Sequence, residues 1–463
     1  MLRYFLFVSL AVVHVAASAQ IRLPDVLSDN MVLQRNDSAV FWGWASPGEK
    51  IRITTGWKST PDSAVASANA VWSVKIKTPE AGGPYTITLR GSNTIELKNI
   101  LIGEVWLCSG QSNMEWSGNH GLPDIKAELP VCADDQLRFF QVRKTTSDHP
   151  QDYLPGRWTS CDSNTLKPFS AVGYFFGKEL RKKLGVPVAL INSSWGGTPA
   201  EVWTPAELVT GVPELAAAAA KLNPNPWWPV VPGKTFNAMI APLTNFRIAG
   251  AIWYQGESNA GTASTYKPLM ETLIGAWRKA WGIDFPFYYV QIAPFKHGPG
   301  TLRGSLLREA QTQTLSYPKT AMAVITDLVA DTNNIHPINK HDVGFRLANL
   351  ALGDHYGQKV MAFKSPIYDR METKNNQIVI HFKHADNGLV LKGAAKEWYI
   401  AGADKKFVPA DVKIKGNTVI VSGKGIAQPE AVRFSFNNAA IGNIFSKEGL
   451  PVGPFRTDSW PEQ

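Results

Sequence analysis

From residue 101 to about residue 362, apolar runs of strand length alternate with helical patterns. Strand-like runs occur at 105–108, 188–191, 249–254, 287–292 and 321–326. Between them, Ser170 stands at an N-cap, Val172, Phe175, Phe176 and Leu180 share one helix face, and Gly185 closes the segment. Leu269, Leu273, Trp277 and Trp281 recur at helical spacing and stop at Gly282. A further helix is expected over 303–315, and Val343, Leu347 and Leu350 mark a last one ending near Gly357. Alternation of this kind predicts an α/β fold with a parallel sheet and helices on both faces. Open sheets of that class take their ligands at the carboxyl ends of the strands. The residues following each strand are therefore where chemistry is to be sought.

The flanks have a different texture. Alternating runs at 39–44, 50–54, 71–76 and 85–89 are separated by turn signals such as Ser46-Pro47-Gly48 and Ala81-Gly82-Gly83-Pro84. They predict an N-terminal β-sandwich domain over 20–100. Strand patterns return at 377–382, 412–414, 418–421 and 432–436, so 101–362 is the α/β catalytic domain and 363–463 a β-rich region. That region either stands alone or packs on the N-terminal sandwich. The stretch 211–233 is less regular: its alanine run suits a helix, and 224–232, with Trp227-Trp228, suits a loop. Two adjacent exposed indoles would serve to stack on sugars; plain packing is the alternative.

Residues 1–19 read as a secretory leader, with Arg3 as the positive end, an apolar stretch at 5–15 and Ala17-Ser18-Ala19 as the cleavage site. The stretch is too short to span a bilayer, and His14 interrupts it. The expectation is an exported protein starting near Gln20, periplasmic or extracellular, without membrane insertion. The formal charge is +9, but the basic residues are scattered and only Arg181-Lys182-Lys183 cluster, at a helix end where cations suit the dipole. No nucleic-acid partner is expected from that distribution. Cys108 lies within a central strand and should be buried and inert. Cys132 and Cys161 are either a disulfide or two free thiols.

Four segments fall where strands should end. In the first, the strand at 105–108 runs into Ser109-Gly110-Gln111-Ser112-Asn113, which makes Ser112 either a displayed nucleophile or the cap of a helix starting near Met114. It is no Gly-x-Ser-x-Gly elbow, since Met114 occupies the place of the second glycine. In the second, Gly196 and Gly197 follow a strand and leave backbone N–H groups uncovered, suited to an oxyanion or to an ordinary turn. In the third, Gln255, Glu257, Ser258 and Asn259 crowd around Gly256, more polar side chains than a turn requires. The fourth, 327–337, places His336 in a polar loop before Pro337. A serine early and a histidine late match the order Ser…His of hydrolases.

The run Gly-Glu-Val-Trp-Leu-Cys-Ser-Gly-Gln-Ser-Asn-Met-Glu-Trp at 103–116 closely resembles the sialate O-acetylesterase family within the SGNH hydrolases. So do Ile252-Trp253-Tyr254-Gln255-Gly256-Glu257-Ser258-Asn259 and Ile335-His336-Pro337 with Lys340, Gly344 and Arg346. Gly449-Leu450-Pro451 and Pro454-Phe455-Arg456-Thr457-Asp458 extend the likeness into the C-terminal β region. The resemblance implies an SGNH-type fold and hydrolysis of O-acetyl esters on sugars, with sialic acids as the named substrate. It implies Ser112 as nucleophile and His336 as base. The oxyanion would be met by the N–H of Ser112, an N–H of Gly196 or Gly197 and the Gln255 amide, with Glu257 and Asn259 in the same substrate-binding set. No metal or organic cofactor is implied.

One departure stands out. SGNH enzymes usually carry the orienting aspartate three residues before the histidine, and here that position is Asn333. Either Asp331 reaches His336 by another path, or a backbone carbonyl orients the imidazole. A rate rising with pH around the ordinary histidine value of about 6.5 is expected. Acetylated xylan or other glycans fit the same chemistry. Two other classes remain: a glycoside hydrolase using Glu115 and Glu257, or a sugar-binding protein without catalysis.

Overall fold

The computed structural model describes residues 20–298 and 300–460. The leader expected at 1–19 lies outside the described residues. The organising element is one long strand, Thr94–Gly110. Its first half pairs antiparallel with Gly82–Arg90 of the N-terminal β region. Its second half pairs parallel with Val188–Ser194 on one side and Gly250–Tyr254 on the other. The sheet continues through Phe287–Val290 to Thr320–Ala323, all parallel. On the other side it runs through Asp134–Gln141 to an antiparallel edge strand, Trp158–Cys161. The domain boundary expected at residue 100 thus falls inside a continuous strand.

The central strands read as unbroken apolar runs because both faces of the sheet are covered. The side-chain period of two divides them between the two layers. Val105 and Leu107 join the core beneath Leu273, Trp277 and Leu307, from the helices Tyr266–Trp281 and Arg303–Gln313. Trp106 and Cys108 join the other, with Val172, Phe176, Val343 and Leu347 from Ala171–Leu184 and His341–Leu350. The expected caps form: the Ser170 hydroxyl accepts from Gly173 N–H at 3.0 Å, and Gly185 turns left-handed to close the helix.

The N-terminal strands Ser38–Trp44 and Val71–Lys77 pair with each other, and Phe41 and Ile51 share one continuous core with Val105 and Leu107. The C-terminal region has its own core, including Ile378, Trp398, Val419 and Phe455. It docks on the α/β region through buried Arg308, whose guanidinium donates to the Asn437 and Asn438 carbonyls at 2.5 and 3.2 Å. Arg456 and Glu309 add a two-pronged ion pair at 2.8 Å. Cys108 is buried, which raises its thiol pKa, as expected for an inert side chain. Cys132 and Cys161 are unbridged thiols, Cys161 donating to the Cys132 carbonyl at 3.1 Å. Among the described residues no helix is long and apolar enough to cross a membrane.

Candidate active site

Gly110 ends the long strand with φ +131°, and a Cβ there would stand 2.2 Å from the Tyr254 carbonyl oxygen. Only glycine lets the two backbones approach so closely. The chain then turns, Gln111 N–H donates to that carbonyl at 3.0 Å, and a single helical turn, Ser112–Glu115, begins. Gln111 holds the cap position and Ser112 is the first helical residue, so Ser112 is not the cap. Its hydroxyl instead meets His336: Oγ and Nε2 are 2.8 Å apart across 224 residues of sequence.

His336 comes from the loop after the last parallel strand. Its own N–H donates to Asn334 Oδ1 at 2.9 Å. The preceding carbonyl, of Ile335, accepts from Asn113 Nδ2 at 3.1 Å. The imidazole lies against the Trp116 indole, centroids 4.2 Å apart and planes 19° from parallel. Burial, with Lys340 and His120 nearby, pushes the His336 pKa down to about 4. The His336 pKa therefore lies well below the ordinary histidine value of about 6.5.

Neither expected orienter reaches the ring. Asp331 is exposed and is spent on Asn333, accepting from its N–H and Nδ2, each at 2.8 Å. That turn engages the carboxylate and holds its pKa down. Among the described residues no backbone carbonyl hydrogen-bonds the imidazole either. The stack on Trp116 and the loop clamp from Asn113 hold it instead.

Two expected oxyanion donors are occupied. Gly196 N–H donates to Glu115 Oε2 at 2.5 Å, while Lys144 Nζ holds Glu115 Oε1 at 2.5 Å. Gly196 is nonetheless close to the serine, because a Cβ on it would lie 3.3 Å from Ser112 Cβ. Gln255 is fully buried, and its Nε2 donates to Asn259 Oδ1 at 2.8 Å and to the Thr198 carbonyl at 3.2 Å. Its Oε1 accepts from the Tyr266 hydroxyl at 2.9 Å. Asn259 completes this buried network by donating to both oxygens of Glu201, at 3.1 and 2.8 Å. Burial raises the Glu201 pKa. Gln255 and Asn259 thus shape the loop from behind. Gly197, with φ +80°, packs against Trp228.

Glu257 belongs to a second buried cluster that the sequence reading did not assign. Asn113, fully buried, donates to Glu257 Oε1 at 2.7 Å and accepts from Lys340 Nζ at 2.6 Å. Lys340 Nζ also lies 5.6 Å from the Trp116 ring centroid and 5.5 Å from that of Tyr254. Burial lowers the Lys340 pKa to about 7, against the pull of Glu257 and Asp124. Burial likewise raises Glu257, whose Oε2 has no partner. The signal for this cluster was positional: Asn113 adjoins the serine, Trp116 closes the first motif, and Lys340 follows the histidine by four residues. Gln111 ties the loops together, its Oε1 accepting from Gly256 and Ser258 N–H at 3.3 and 3.4 Å. Among the described residues no group of three or more His, Cys, Asp or Glu side chains is placed to hold a metal ion.

Comparison with known proteins supplies the chemistry. Residues 102–353 match the family model for carbohydrate esterases of the sialic acid-specific acetylesterase type. Human sialate O-acetylesterase is 31% identical over 398 residues, covering 77% of this chain and 75% of that protein. The mouse sialate O-acetylesterase is also 31% identical, over 438 residues and 80% of each chain. A crystal structure of a carbohydrate acetylesterase from Xanthomonas citri superposes with TM-score 0.87 at 37% identity, covering 95% of this chain and 100% of that one. A parallel sheet with loops gathered at its carboxyl edge and these relatives together define a carboxylic ester hydrolase. More particularly, the chain belongs to the sialic acid-specific acetylesterase family of carbohydrate esterases.

Proposed function

We propose that this enzyme removes O-acetyl groups from sugars, sialic acids foremost, with Ser112 as nucleophile and His336 as its base. The 2.8 Å contact between Ser112 Oγ and His336 Nε2 carries the reading. For Nε2 to accept the serine proton, the ring must be neutral with its hydrogen on Nδ1. The depressed pKa of His336 favours that neutral form at neutral pH.

Ser112 Oγ attacks the acetyl carbonyl as its proton passes to His336 Nε2. The carbonyl oxygen becomes an oxyanion beside the Ser112 N–H, at the first turn of a helix whose leading amides have no internal partner. His336 then returns the proton to the departing sugar oxygen, leaving an acetyl-serine. A water, deprotonated by the same nitrogen, releases acetate and restores the hydroxyl. Ser112→Ala and His336→Ala should each lower kcat by roughly 10³-fold or more. Acetate release from O-acetylated sialic acids, acetylated xylan and an aryl acetate tests the reading. Turnover of aryl glycosides in place of all three, or binding without turnover, would overturn it. From the leader pattern alone we propose export to the periplasm or medium, tested by intact mass: a mature chain retaining residues 1–19 would refute it.

A further inference from the structure

We propose that Trp227 is a glycan-binding platform beside the ester-cleaving centre, stacking on the pyranose ring next to the acetylated one. The proposal rests on the esterase reading for its location. Trp227 is 77% exposed. An indole this bare offers a broad apolar face to solvent, and the axial C–H face of a pyranose is its natural complement.

The ring is displayed on a fixed backbone. Pro224, Pro226, Pro229 and Pro232 restrict the loop on both sides. Trp227 N–H donates to Asn225 Oδ1 at 2.8 Å, and its carbonyl accepts from Trp195 Nε1 at 3.0 Å. A preset platform loses little conformational entropy when a ligand arrives.

The platform is joined to the reaction centre by contact. Trp228 packs so closely on Gly197 that a Cβ there would come 2.3 Å from its ring. Gly197 adjoins Gly196, which in turn abuts Ser112. Trp195, which holds the Trp227 carbonyl, begins the same turn. The loop that carries Trp227 thereby abuts the turn beside Ser112. The occupant is a neighbouring sugar unit and not an apolar peptide, because the loop that carries Trp227 packs on the turn adjoining Ser112 in a carbohydrate esterase.

Binding without turnover separates this proposal from the esterase reading. In a Ser112→Ala background, calorimetry measures Kd for O-acetylated sialyllactose and for acetylated xylotetraose. Adding Trp227→Ala should weaken the better-bound probe about tenfold, and Trp227→Tyr should restore most of that loss. Thermal melting should be unaltered, since the side chain is in solvent. An unchanged Kd in Trp227→Ala, or no binding of either probe to Ser112→Ala, overturns the platform. Failure of the wild-type enzyme to cleave any acetyl ester would sink the esterase reading, while a Trp227-dependent Kd would survive it.

Discussion

The imidazole of His336 lies nearly parallel to the indole of Trp116, with centroids 4.2 Å apart. A flat aromatic neighbour fixes the plane of the ring without supplying a charge. In the proposed mechanism this stack, and not an aspartate, restrains the imidazole. Trp116→Ala should lower kcat by roughly 10- to 100-fold through misalignment, while KM for a small aryl acetate stays nearly constant. Trp116→Phe should recover most of the rate. Steady-state kinetics on the three proteins checks this.

Asp331 is engaged in its own turn and exposed. Asp331→Ala should keep activity within about threefold of wild type, because local surface changes seldom reach a site they do not touch. Near-total loss in a folded variant would restore a triad.

The pH dependence follows from the sign of the His336 shift. In the proposed mechanism the neutral ring is the working form, so activity should be lost as pH falls through the folded-state value of about 4. The rate should be level from roughly pH 5.5 to 6.5, above that limb by more than a pH unit. Lys340→Met removes one cation facing the ring, leaving His120 and the burial. The acid limb should then move upward, yet stay below the ordinary value of about 6.5. A kcat/KM profile of both proteins decides it, and an unmoved limb would exclude Lys340 as a contributor.

Asn113 satisfies Lys340, Glu257 and the Ile335 carbonyl together. Asn113→Ala would leave a buried ammonium and a buried carboxyl oxygen unpaired. The expected cost is about 2–4 kcal/mol of stability, read from urea unfolding. Activity should fall as well, because the loop carrying His336 loses its clamp. A variant as stable and active as wild type would show the cluster to be incidental.

Much of the architecture was legible along the chain. Alternating patterns located the central strands, and the caps at Ser170 and Gly185 formed as their residue types require. Such features depend on neighbours within one or two turns, so local sequence reports them. The long strand Thr94–Gly110 was harder to see, since its two halves pair differently, antiparallel at the start and parallel at the end, and carry different burial patterns.

The amino-acid sequence by itself determined the order of strands and helices, the polar strand-end loops and the presence of a serine and a histidine among them. Tertiary structure alone decided which of those groups meet. It joined Ser112 to His336, spent the Gly196 and Gln255 amides elsewhere, and tied Asp331 to Asn333. It also buried Lys340 beside the histidine. Hydrogen-bond partners and local dielectric are set by whichever distant segments arrive at a point in space, and periodicity along the chain carries no record of that.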